Sequence, residues 1–138
     1  MKSKIILSIL IIIVICFIFF ITNFSHILKD DIDNIEKITI RHPGNGKLYS
    51  TTNRQLINKF ITAMNSAKYL KVVKLPIPLS GTSPITLYSE NNTKIASVTH
   101  KLKFIEINNK NYMEIGRDKE KFEAFYKEFY SDEYIVNE

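Results

Sequence analysis

The side chains in this chain that could do chemistry are few and scattered. Three histidines occur, His26, His42 and His100. His42 and His100 with Glu106 or Glu114 would supply imidazole and carboxylate ligands for zinc. Neither H-E-x-x-H nor any other ligand spacing connects them, so no metal site and no cofactor is expected. The acids sit at no spacing that would build an acid–base couple. Ser80-Gly81-Thr82-Ser83 lacks the G-x-S-x-G frame of a nucleophile elbow, and no His–Asp partner accompanies it. Gly44-Asn45-Gly46 leads into no phosphate-loop pattern and reads as the turn after a strand. The one cysteine, Cys16, lies inside an apolar run. The rest of the chain therefore has no disulfide, thiol nucleophile or Cys-ligated zinc. These absences point away from an enzyme and toward a binding or accessory protein.

Two features suit binding. Lysines recur at Lys68, Lys71, Lys74, Lys94, Lys101 and Lys103. With aligned strands, several would share a face with Tyr69 and could meet anionic head groups or another anionic envelope component. The plainer account is a solvated face whose edge-strand lysines deter aggregation. The second feature is the loop from Leu75 to Pro84. Its three prolines and one glycine exclude helix and central strand, and Ile77 and Leu79 stand out as candidate contacts. The candidate binding set is thus Ile77, Leu79, Tyr69, Lys71, Lys74, Lys101 and Lys103. A formal charge of +5 falls by two without Lys2 and Lys4, too small an excess to argue for nucleic acid.

The element that positions everything else is the apolar stretch Ile5–Phe24. No charge, Gly or Pro interrupts Ile5–Ile21. A helix of about 17–20 residues matches the roughly 30 Å hydrocarbon core. The segment is expected to be a single transmembrane signal anchor. Lys2 and Lys4 place the N-terminus in the cytoplasm and the C-terminal domain outside. A cleaved signal peptide is the competing account, but the run is long for one and no A-x-A-like exit follows. Val14-Ile15 before Cys16 do not fit a lipid-attachment site. The segment has no small-xxx-small motif and no internal charge, so it reads as a tether.

The predicted organisation is a helix over residues 1–24, a polar connector over 25–34, an α+β domain over 35–130 and a tail over 131–138. The roughly 110 residues beyond the anchor suffice for one domain. Ile38 and Ile40 alternate with polar neighbours in a half-buried strand. A short returning strand is expected at Lys47–Ser50. Thr52 with Gln55 reads as a capping box opening a helix to about Ala67. A strand is predicted over Tyr69–Leu75. Two hairpins follow, Ile85–Ser89 with Lys94–Thr99 and Leu102–Asn108 with Tyr112–Ile115. Their Asn-rich tips suit positive φ, and His100 falls in the turn between them. Asp118 caps a last helix to about Tyr130, whose stripe of Phe122, Phe125, Tyr126, Phe129 and Tyr130 is expected to pack on the sheet. The sum is a small, mostly antiparallel sheet with two amphipathic helices on it.

This layout resembles small uncharacterised membrane-anchored extracytoplasmic proteins of low-GC Gram-positive bacteria. The similar stretches are Glu36-Lys37-Ile38-Thr39-Ile40, the capped helix with Leu56-Ile57-Asn58-Lys59-Phe60, and Ile107-Asn108-Asn109-Lys110-Asn111-Tyr112. The resemblance implies an exported α+β domain and carries no catalytic residues. The expected function is a membrane-anchored extracytoplasmic domain that binds a protein, peptide or anionic envelope component. The alternative is a secreted, inhibitor-like protein released by signal cleavage. A small metal-dependent hydrolase ranks below both.

Overall fold

Alternating apolar residues decide which face of each strand turns inward. A computed structural model describes residues 2–73 and 82–136. Its first helix, α1 (Lys2–Phe20), runs without a break into a two-residue strand, β1 (Ile21–Thr22). A short helix, α2 (Phe24–Leu28), and a 3-10 turn over Lys29–Asn34 follow. Then come β2 (Lys37–Arg41), β3 (Leu48–Thr51), α3 (Arg54–Asn65), β4 (Lys68–Val72), β5 (Ile85–Tyr88), β6 (Lys94–Lys101), β7 (Phe104–Ile107), β8 (Lys110–Ile115) and α4 (Lys119–Phe129).

The strands form one eight-stranded sheet in the order β1-β4-β8-β7-β6-β5-β2-β3. Every pairing is antiparallel. Ile38, Ile40, Leu87, Val98, Ile105, Ile107 and Tyr112 are buried beneath the helices. The α+β class expected from the sequence holds. Helix α3 brings Leu56, Ile57, Phe60 and Met64 to this core, and α4 brings Phe122, Phe125 and Phe129. Phe60 meets Phe125 at a ring-centroid distance of 5.2 Å, joining the helices over the sheet. The Asn-rich tips take the expected backbone: Asn92, Asn108 and Asn109 all have positive φ.

Three local expectations change. The start of α3 is capped by Asn53, not Thr52: its side chain accepts from the amides of Gln55 at 2.9 Å and Leu56 at 3.4 Å. The Thr51 hydroxyl holds the Asn53 amide in turn, at 3.0 Å. Asn53→Ala should therefore lower stability by about 1 kcal/mol, read as a shift in the urea midpoint with unchanged slope. The 25–34 segment begins inside a short helix, and Lys29–Asn34 follows as a 3-10 turn with no buried residue. Asn23 caps α2 by accepting from the His26 amide at 2.7 Å, and Phe24 and Leu28, one helical turn apart, are buried. Asn65 fastens this piece to α3 by accepting from the Ser25 amide at 3.0 Å. Finally, His100 lies within β6 rather than in a turn.

Helix α1 ends at Phe20, earlier than the expected Phe24, because Ile21 and Thr22 pair with Leu70 and Tyr69 of β4. The side chains of Ile5–Ile15 stand about half exposed along α1. Among the described residues, no helix is long and apolar enough to cross a membrane. The Pro-rich loop, with Lys74, Ile77 and Leu79, lies largely outside the described residues.

Candidate functional site

Strand β8 turns Tyr112 and Glu114 toward the helices, so the alternation that buries a tyrosine also buries a carboxylate. The Glu114 side chain is 1% exposed. Burying such a charge is costly unless it is paired. The partner comes from the turn that follows. Gly116 has φ +72°, a left-handed conformation that a side chain would strain. It lets the chain fold back so that Arg117 grips Glu114 with both arms of its fork. Arg117 Nε donates to Oε1 at 2.8 Å, and Nη2 donates to Oε2. The guanidinium also lies over the Phe122 ring, 4.5 Å from its centroid. That contact ties the end of β8 to the first turn of α4.

Two further groups close round the carboxylate. Tyr69, its cross-strand neighbour on β4, is fully buried and donates to the Met64 carbonyl at 2.7 Å. Burial, reinforced by Glu114, raises the pKa of its hydroxyl. His100 Nε2 stands 3.2 Å from Glu114 Oε2, within ion-pair reach. It is nevertheless buried without a hydrogen-bond partner, because the approach is off the donor direction. Burial, with Arg117 nearby, lowers the pKa of His100 to about 4. Burial raises that of Glu114, and Arg117 opposes the rise without cancelling it. The imidazole is thus neutral at physiological pH. The carboxylate is committed to arginine, an arrangement that positions structure better than it abstracts protons.

Two cavities flank this cluster and share Tyr126 as a wall. The larger, about 760 Å³, is a groove between the β6–β7 turn and α4. Leu102, Phe104 and Phe122 give it an apolar lining, and Lys103, Lys119 and Glu123 stand beside Arg117 and Glu114. The smaller, about 270 Å³, lies between the ends of β2 and β6 and α4, lined by His42, His100, Tyr126 and Tyr130 among others. The His42 ring meets Tyr130 edge-on at 4.5 Å, and its Nδ1 accepts from the amides of Gly44 and Asn45. His42 and His100 do share a cavity. Even so, no group of three or more His, Cys, Asp or Glu among the described residues could hold a metal ion.

At the lip of the groove sits the least expected residue. Leu102, in the two-residue turn between β6 and β7, has φ +58° and is 76% exposed. Leucine avoids the left-handed region by about 1–2 kcal/mol, and glycine or asparagine is the usual occupant. An exposed apolar side chain on such backbone makes Leu102 a candidate contact position.

The described members of the predicted binding set, Tyr69, Lys71, Lys101 and Lys103, do not form one surface. Lys103 lines the groove. Lys101 ends β6, opposite Phe104. Lys71 is exposed toward the other end of the sheet, opposite Tyr112. Tyr69 belongs to the core and shares no basic surface with them. Sequence pattern does not single out Leu102 or Arg117, and it offers Glu114 only as a zinc ligand and Phe122 only as part of the stripe that packs on the sheet. The one available signal was Glu114 in phase with Tyr112, followed by Gly116-Arg117. No family model matches the chain, and neither curated proteins nor solved structures gave a match.

Proposed function

We propose that this chain is a membrane-tethered, non-catalytic binding domain on the outer face of the cytoplasmic membrane, and that it receives a partner in the groove between the β6–β7 turn and α4. The observation that carries the binding site is Leu102, exposed and strained beside Phe104 and Phe122. The tether rests on the sequence alone, on the charge-free run Ile5–Ile21. Lys2 and Lys4 favour an N-terminus inside. The small exported proteins of low-GC Gram-positive bacteria that the layout resembles fit the same reading.

A photoreactive amino acid at position 102 of the full chain, expressed in cells, should give a discrete crosslinked adduct. The same residue at position 109, at the far end of β7, should not. Equal labelling at both positions would refute the site. Leu102→Gly should raise stability by about 1 kcal/mol by relieving the backbone, while weakening partner binding severalfold. A variant that is both less stable and fully binding would show that Leu102 serves the turn alone.

A further inference from the structure

Chain connectivity sets the depth of one pocket, whatever the tilt of the sheet. A cavity of about 400 Å³ lies at the foot of α1, lined by Ile21, Thr22, Asn23, His26 and Lys68. Ile21 is the last residue of the apolar run Ile5–Ile21. Thr22 and Asn23 follow within about 7 Å of it, and His26 comes three helical residues later, about 5 Å farther. The polar layer of a bilayer is roughly 5–8 Å deep on each side. With the run held in hydrocarbon, the pocket lies in the head groups or directly against them. Lys68 reaches it from a distant part of the sequence. Strand β1 sets Ile21 opposite Leu70 and Thr22 opposite Tyr69, so the next position, Asn23, falls level with Lys68.

The pocket is both amphipathic and basic. Ile21 gives it an aliphatic wall, and the exposed Lys68 and His26 stand at its rim. Asn23 fixes the turn there by accepting from the His26 amide at 2.7 Å. Among the described residues no acid lines the pocket, and no carboxylate pairs with Lys68. The acids around it are engaged elsewhere or set apart. Glu114, opposite Tyr69, is buried and bound by Arg117. Asp118, whose amide donates to Ser66 Oγ at 3.2 Å, pairs with Lys121 at 3.4 Å. Glu120 stands between Lys119 and Lys121 in the first turn of α4. Asp30, Asp31 and Asp33 follow Lys29 in the 3-10 turn, beyond the buried Leu28. We propose that this pocket holds the head group of an anionic phospholipid, with its phosphate on Lys68 and His26 and its glycerol and first acyl carbons against Ile21. The inference rests on the tether reading above and adds the class of lipid that the domain selects. A free phosphate has no use for the Ile21 wall. A zwitterionic lipid brings its own cation to a site that already holds Lys68, whereas an anionic one brings only attraction.

The test uses the full chain. Flotation with phosphatidylcholine liposomes reads the tether by itself, and the chain should float. From nanodiscs holding equal phosphatidylcholine and phosphatidylglycerol, native mass spectrometry should then find phosphatidylglycerol retained severalfold over phosphatidylcholine. Lys68→Gln with His26→Gln should abolish that preference, whereas Lys110→Gln, at the start of β8, should keep it. A chain that floats but retains both lipids equally would overturn the lipid site and leave the tether standing, as would a preference that survives the double substitution. A preference lost to the same extent in Lys110→Gln would reduce the effect to net charge and overturn the site. Displacement of the lipid by equimolar glycerol 1-phosphate would assign the pocket to a soluble phosphate instead. A chain that stays out of the liposomes would overturn the tether and this inference together.

Discussion

Arg117→Met will destabilise the fold by about 3–5 kcal/mol at neutral pH, the usual cost of leaving a buried charge without its partner. The carboxylate it abandons is 1% exposed, and among the described residues its other ion-pair neighbour is His100, which burial favours as the neutral form. Glu114→Gln should cost less, about 1.5–3 kcal/mol, because the orphan is then Arg117, whose side chain is 23% exposed and can turn to water. The double variant Arg117→Met with Glu114→Gln should recover much of the single Arg117→Met loss, giving a favourable coupling in a double-mutant cycle. The penalty on Arg117→Met should also shrink on acidification. Burial already raises the pKa of Glu114, so its protonation becomes easier as pH falls and removes the unpaired charge. Equilibrium urea unfolding at pH 7 and pH 5 measures both effects. A loss under about 1 kcal/mol at pH 7 would mean that the pair does not hold the β8–α4 corner.

The second large effect is the acid response of His100. Its pKa is depressed from 6.5 to about 4 in the folded chain. A depressed group contributes stability that is complete above the unfolded value and is lost as pH falls through the folded one. The unfolded chain takes up the proton first. Between pH 6.5 and 4 the loss approaches about 3 kcal/mol, at 1.36 kcal/mol for each unit of difference. Glu114 acts in the opposite sense, since a raised carboxyl favours the folded state as pH falls. The wild type should therefore lose less than the histidine alone would cost. His100→Gln removes the histidine contribution and leaves the glutamate's. Its stability should stay level or rise from pH 7 to about pH 5, and the gap between the two proteins should change by about 3 kcal/mol by pH 4. Parallel pH curves would show that His100 takes up its proton at the same pH in the folded and unfolded chain.

Local pattern carried much of the fold. The stripe of Phe122, Phe125 and Phe129 after Asp118 specifies α4, and the Asn tips locate both hairpins. Helix α3 was readable except at its cap, where Thr52 and Asn53 both qualify; only the side-chain geometry selects Asn53. The α2 segment was hidden because Phe24 reads as the end of an apolar run, although Phe24 and Leu28 are spaced as one buried helical turn. Long-range pairing was not legible at all. Nothing in β2 announces β5 as its neighbour, and nothing in β4 announces β8. The site shows the same division. Glu114 shares phase with Tyr112, and His100 with Val98, so both side chains could have been assigned inward. That Arg117 reaches back across Gly116 depends on the turn, and the left-handed backbone at Leu102 depends on a dihedral angle that a leucine does not advertise.

The direct passage from α1 into β1 also has a mechanical meaning. With no slack between helix and sheet, a pull on α1 acts at once on Ile21 and Thr22. A partner held at Leu102 would oppose that pull across three strand pairings, because Ile21, Leu70, Met113 and Phe104 lie in one cross-strand row. The load would then cross the sheet, and the two-residue pairing of β1 with β4 would carry it first. Behind that pairing, Phe24 and Leu28 act as a plug that must leave the core before the strand can slip. Bound at Leu102, the domain would behave as a stiff link between helix and partner, and its first yielding point under tension would be the seat of Phe24.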